Sequence, residues 1–154
     1  AVEFDVRQLQ DGQLIVIHDD NFQRTTGRSH HVESCDLATA QQFDHRHQWQ
    51  AWENEEYTPH LTDVMACLTE FEHIEVEIKA VADEAAAERL ILSLHNELKG
   101  FEKNATITSF DVKILTALQQ HHSHFKRGLL VEIPLGEYAI ELAQQYGCCQ
   151  IGQC

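Results

Sequence analysis

Ile74-Glu75-Val76-Glu77-Ile78-Lys79 alternates without a break. Successive residues of a strand point to opposite faces. Ile74, Val76 and Ile78 therefore share one face, and Glu75, Glu77 and Lys79 share the other. Around this stretch, strand-like and helix-like runs follow one another along the chain. Several β-then-α units in a row imply a largely parallel sheet. Such sheets are covered by helices on both faces or closed into a barrel with the helices outside. In an open sheet the three charges would be pressed against helices. In a barrel they point inward near the mouth, where sites are built. The alternation therefore reads as an α/β barrel. There are too few helices for a closed one, so the chain reads as part of a barrel.

Downstream, Asp83 to Lys99 is rich in Ala, Glu and Leu, and Gly100 stands at the expected stop, so this stretch predicts a helix. Ala105 to Phe110 predicts a strand, and Asp111 caps a helix reaching about His122. Gly128 to Val131 is a further strand, Gly136 to Tyr146 a helix stopped by Gly147, and Cys148 to Ile151 begins one more strand. Upstream, Thr62 is expected to cap a helix from Asp63 to Phe71, with Val64, Leu68 and Phe71 as its apolar stripe. Asp36 is placed to cap a helix from Leu37 to about Trp49. Trp49 and Trp52 read as packing residues. The polar run Asn21 to Ser34 reads as a loop. Residues 1–154 are expected to form a single domain with a small loop insertion at about 20–35.

The opening of the chain carries the other half of the site. In Val2-Glu3-Phe4-Asp5-Val6 the two acids share a face, and two carboxylates there are costly unless a cation neutralises them. After a turn at Gln10-Asp11-Gly12, the apolar run Ile15-Val16-Ile17 ends abruptly in His18-Asp19-Asp20. An edge hairpin with a solvated polar face is the other reading of this local pattern. Collected on one inner face, Glu3, Asp5 and Glu77 suit a hard divalent ion such as magnesium or calcium. His18 can move a proton near neutral pH, and Lys79 supplies a point charge for an anionic phosphorus centre. Ser109, at a strand end, is a candidate supporting donor, and Glu75 sits deeper than Glu77.

A length of 154 residues fits one domain with a sizeable core, and 43% hydrophobic with 23% charged residues is ordinary for a globular chain. A net charge of −14 argues against a nucleic-acid partner, although a bound metal can reverse the local field for a small phosphate ester. The apolar runs are shorter than a membrane span, so no stable membrane insertion is expected. Five cysteines, an odd number at spacings that fit no zinc pattern, read as free thiols in a reducing, cytoplasmic compartment. The strand pattern is already under way at Val2, so Ala1 is expected to be a cut and not a natural start.

Glu3-x-Asp5-Val6, then Asp11-Gly12, then Val16-Ile17-His18-Asp19, then Arg24-Thr25-Thr26-Gly27 resemble the glycerophosphodiester phosphodiesterase family. Pro59-x-Leu61, Glu77-Ile78-Lys79, Ser109-Phe110 and Arg127-Gly128-Leu129-Leu130 continue the likeness in order. It implies a (β/α)8 TIM barrel of the phospholipase-C-like phosphodiesterase type, with this chain as strands two to six, lacking the first strand and the last ones. It implies metal-dependent hydrolysis of small-molecule glycerophosphodiesters to sn-glycerol 3-phosphate and an alcohol. Glu3, Asp5 and Glu77 would hold Mg2+ or Ca2+, His18 would be one of two catalytic histidines, and Lys79 would contact the phosphate. In the family's route a glycerol hydroxyl attacks phosphorus and water opens the resulting cyclic phosphate. The family's His-Arg-Gly strand, with its second histidine, and its Pro-Glu-Asn motif are not in this sequence. Residues 1–154 alone are therefore expected to be inactive and to self-associate. A non-catalytic binding or regulatory domain on the same barrel is the second reading, and a lipid phosphodiesterase resembling sphingomyelinase D is a third.

Overall fold

The computed structural model describes residues 1–49 and 51–153. Its centre is a six-stranded sheet in the order β2-β1-β3-β4-β5-β6. β1 (Val2–Gln8), β3 (Ile74–Ile78), β4 (Ala105–Ser109), β5 (Lys126–Val131) and β6 (Gln150–Gln153) run parallel. β2 (Leu14–Val16) folds back antiparallel on the end of β1 through a turn in which Gly12 takes φ +87°. The run expected to end in His18 is thus an edge hairpin strand, and the five parallel strands account for the β/α repeat.

Alternation sorts the two faces. Phe4, Val6, Ile74, Val76, Ile78, Ala105, Ile107, Leu129 and Val131 are buried in one core with the helices. These are α3 (Leu61–Cys67), α4 (Glu84–Glu97), α5 (Val112–Gln120) and α6 (Glu137–Gln145). α4 and α5 begin where acids stand ready. Asp83 accepts from the Ala86 N–H, and Asp111 from the Lys113 N–H, satisfying amides that a helix start leaves without partners. On α4, Ala87, Leu90, Ile91 and Leu94 form the buried stripe at helical spacing.

A smaller core is built around the hairpin: Leu9, Ile15, Ile17, Phe22, Val32, Cys35, Ala40 and Phe43. Phe22 and Phe43 meet edge to face at 5.0 Å. This cluster holds the hairpin and the segment after it. No helix of the described residues is long and apolar enough to cross a membrane.

Several local expectations are corrected. The helix expected from Leu37 to about Trp49 is one turn, α2 (Leu37–Ala40). It stops because Asp44 offers the backbone an alternative: its carboxylate accepts from the Arg46 and Glu56 amides, both at 3.2 Å. α3 begins two residues earlier than expected, and Thr62 does not cap it. The Thr62 hydroxyl donates to Glu97 instead, at 3.1 Å. The buried stripe of this segment is Leu61, Met65 and Leu68, with Val64 and Phe71 only partly covered. Trp49 and Trp52 are not packing residues: they are 73% and 53% exposed.

Candidate active site

The parallel register sets the site. Asp5 and Glu77 are Cα partners on β1 and β3, as are Glu3 and Glu75, and all four point away from the helices. Carboxylate oxygens of Glu3, Asp5 and Glu77 lie within 4.8 Å of one another, the one group of three such ligand atoms found among the described residues. Glu77 is buried, and Glu3, near the start of β1, is exposed. Lys79 lies one alternation further along: its Nζ is 2.7 Å from Asp5 Oδ1 and also contacts Glu77 Oε1.

The charges respond to one another. Burial pushes the Glu3 carboxyl above the ordinary glutamate range, and the fields of Asp5 and Glu77 add to it, with Lys79 opposing. Burial pulls Lys79 down, but its hydrogen bonds to Asp5 and Glu77 outweigh that and hold it above the ordinary lysine value. Three convergent oxygen donors with one ammonium leave an excess of negative charge. That donor chemistry fits a hard divalent cation.

His18 follows β2 at the same end of the sheet, its side chain 64% exposed. Its Nδ1 is 2.9 Å from Asp19 Oδ1, and Nε2 has no protein partner among the described residues. The His18 carbonyl accepts from Arg7 Nε at 3.0 Å. Arg7 was missed in the sequence, although the same period of two that selected Glu3 and Asp5 reaches it. Burial lowers its affinity for a proton, against the raising fields of Asp20, Asp5, Asp19 and Glu77. Arg7 thereby ties the histidine's backbone to the acidic face. A groove of about 1070 Å³ opens beyond Arg7 and Lys79, with Val81, Ala86 and Arg89 along its wall.

The inner face continues across the sheet from Glu77 to its Cα partner Thr108, then to Gly128 and Gln150. Thr108 is fully buried, and its hydroxyl has no partner among the described residues. A Cβ on Gly128 would lie 2.6 Å from Gln150 Cγ and 2.9 Å from Thr108 Cγ2, so only glycine fits between these side chains. Ser109 does not reach the site. It lies on the helix side, where its hydroxyl donates to the Ile78 carbonyl at 2.7 Å and accepts from the Asp111 N–H at 3.0 Å. Glu75, 3.9 Å from His73 Nε2, stays outside the converging three.

Comparison with known proteins gives a consistent picture. A sequence model described as the glycerophosphoryl diester phosphodiesterase family matches residues 1–151. A curated glycerophosphodiester phosphodiesterase of Caldanaerobacter subterraneus subsp. tengcongensis is 29% identical over 140 residues, 89% of this chain and 57% of that protein. A solved Oleispira antarctica phosphodiesterase in complex with the product sn-glycerol-3-phosphate superposes with a TM-score of 0.85 at 22% identity, over 99% of this chain and 62% of that one. The Thermotoga maritima glycerophosphodiester phosphodiesterase gives 0.70 at 19% identity, over 99% and 60%. The structural likenesses show the fold, a partial α/β barrel. The chain spans less than two thirds of the length of these relatives.

Proposed function

The chain belongs to the glycerophosphodiester phosphodiesterase family, and from that premise we propose that it carries the metal-binding half of a site that hydrolyses glycerophosphodiesters to sn-glycerol 3-phosphate and an alcohol. The observation that carries the reading is the convergence of Glu3, Asp5 and Glu77 within 4.8 Å, with Lys79 beside them. Glu3, Asp5 and Glu77 are the ligands of one Mg2+ or Ca2+, which when bound neutralises phosphate charge and makes a hydroxyl more acidic. Lys79 contacts the phosphate oxygens as charge builds on them. His18 moves the proton through Nε2, the ring nitrogen left free by its bond to Asp19. In the first step a glycerol hydroxyl loses its proton and bonds to phosphorus, and the alcohol oxygen leaves and takes up a proton. Water then opens the cyclic phosphate.

This route uses two proton-transfer groups, and among the described residues His18 is the imidazole tied to the acidic face. Residues 1–154, read as one barrel domain with an insertion at about 20–35, are therefore expected to turn over negligibly alone. Among the described residues, the outer edge of β6 offers unpaired backbone groups for self-association. The acidic net charge and free thiols support a cytoplasmic setting without nucleic-acid partners.

The test is sn-glycerol 3-phosphate release from glycerophosphocholine with Mg2+ or Ca2+, by this chain and by a polypeptide extended to a complete barrel, upstream with a His-Arg-Gly strand and downstream with the last strands. In the extended polypeptide His18→Ala lowers kcat by about 10²–10⁴-fold and leaves cation binding intact. Glu77→Gln abolishes cation binding by calorimetry. Near-normal turnover in His18→Ala would end the assignment. Substrate binding without turnover in the extended polypeptide would favour a binding domain. Light scattering reports the self-association.

A further inference from the structure

Arg24-Thr25-Thr26-Gly27 has no part in the chemistry above, yet the fold holds it with care. The single turn α1 (Gln23–Thr26) starts after Phe22, which is fully buried against Phe43. The Thr26 hydroxyl donates back to the Phe22 carbonyl at 2.7 Å. Gly27 closes the turn in the left-handed region, at φ +75°, with the His47 ring 3.1 Å from where a Cβ would stand.

This turn presents Arg24 to Asp19 at two points. Nε donates to Asp19 Oδ2 at 2.6 Å, and a terminal nitrogen donates to Oδ1 at 3.1 Å. Oδ1 is also the oxygen 2.9 Å from His18 Nδ1. An ionised carboxylate only accepts, so the Nδ1 that faces it must carry the hydrogen. Asp19 is held below the ordinary aspartate range, first by its hydrogen bond to Arg24, against some burial, and then by the bond to His18. As a contribution to stability the Arg24–Asp19 pair is worth little, because the Arg24 side chain is 55% exposed. What it supplies is geometry: a planar fork on a carboxylate fixes the carboxylate's rotation.

We infer that Arg24 is a positioning residue, which through its two-point grip on Asp19 holds His18 in the form protonated at Nδ1 and bare at Nε2. The catalytic consequence rests on the reading of His18 as the proton-transfer group; the ring's protonation pattern does not.

The experiment is nitrogen NMR of the 154-residue chain with ¹⁵N-labelled histidine, the His18 signals being assigned by their loss in His18→Gln. In the neutral ring, Nδ1 should show the shift of a protonated nitrogen and Nε2 that of an unprotonated one. Arg24→Gln should mix the two forms. Arg24→Lys, which keeps the charge but not the fork, should retain the Nδ1–H form only in part. In the extended polypeptide, Arg24→Gln should lower kcat by roughly 10- to 100-fold, with KM held within about twofold. Unchanged nitrogen shifts in Arg24→Gln would overturn the inference, whether or not its melting temperature falls. So would changed shifts with wild-type kcat, because Arg24 would then orient a ring the reaction does not need. Absence of any turnover in the extended wild type would overturn the phosphodiesterase reading, and the nitrogen shifts would still decide whether Arg24 sets the ring.

Discussion

Lys79→Met tests whether the acidic face depends on its ammonium. Nζ lies 2.7 Å from Asp5 Oδ1 and also touches Glu77. At an effective dielectric of about 20, a pair at that distance attracts by roughly 6 kcal/mol. Desolvation of both groups offsets much of this. The side chains are 14% and 20% exposed, so solvent screening lowers the figure further, to about 2–3 kcal/mol on removal of the lysine. For a chain of this length that is a fall of roughly 5–10 °C in Tm. The assay is thermal unfolding followed by circular dichroism in chelator, then with magnesium or calcium. In the variant no ammonium competes for the carboxylates, so the cation should restore more stability than it adds to the wild type. At a concentration 100-fold above Kd the gain is about 2.7 kcal/mol. Equal Tm values in chelator, with equal gains on adding the cation, would refute Lys79 as the countercharge of the cluster.

Two further outcomes follow from residues outside the metal-ligand set. Asp44, held at about 2 chiefly by its hydrogen bonds to Arg46, should titrate there by NMR and move up toward 3.8 in Arg46→Gln. Because its pKa is depressed on folding, its stabilisation is present above the ordinary aspartate value and is lost as the pH falls toward 2. Asp44→Asn should therefore flatten the acid limb of the stability curve in that window. Gly128→Ala puts a methyl 2.9 Å from the buried Thr108 and 2.6 Å from Gln150. The overpacking should cost about 1–3 kcal/mol and lower the denaturant midpoint, and an unchanged midpoint would show that both neighbours can move aside.

How much was legible depended on whether a residue's surroundings were set by period or by partners. The faces of β1 and β3 followed from strict alternation, and parallel pairing brought Asp5 opposite Glu77. α4 and α5 were readable because Asp83 and Asp111 cap them within reach of their own backbone. The stretch from Leu37 to His60 was not. Its shape comes from Asp44 holding both Arg46 and Glu56 and from Phe43 packing on Phe22, and the contacts with Glu56 and Phe22 lie outside any local window. Ser109 misled because a hydroxyl at a strand end looks alike on either face. Asp19 and Arg24 could be recognised only as a motif, since their connection to His18 is a matter of side-chain geometry.

The pairing of Asp5 with Glu77 bears on how the chain finds its fold, apart from any chemistry. A parallel strand that slips by one residue exchanges its faces completely. A slipped β3 would turn Glu77 into the leucines of α4 and lift Val76 and Ile78 into the polar interior. Burying a carboxylate without a partner costs several kcal/mol, comparable with the whole stability of a small domain. The same acids that would hold a cation therefore act as alignment marks between the first two parallel strands. Replacing them to gain stability would weaken the discrimination between this register and its neighbours.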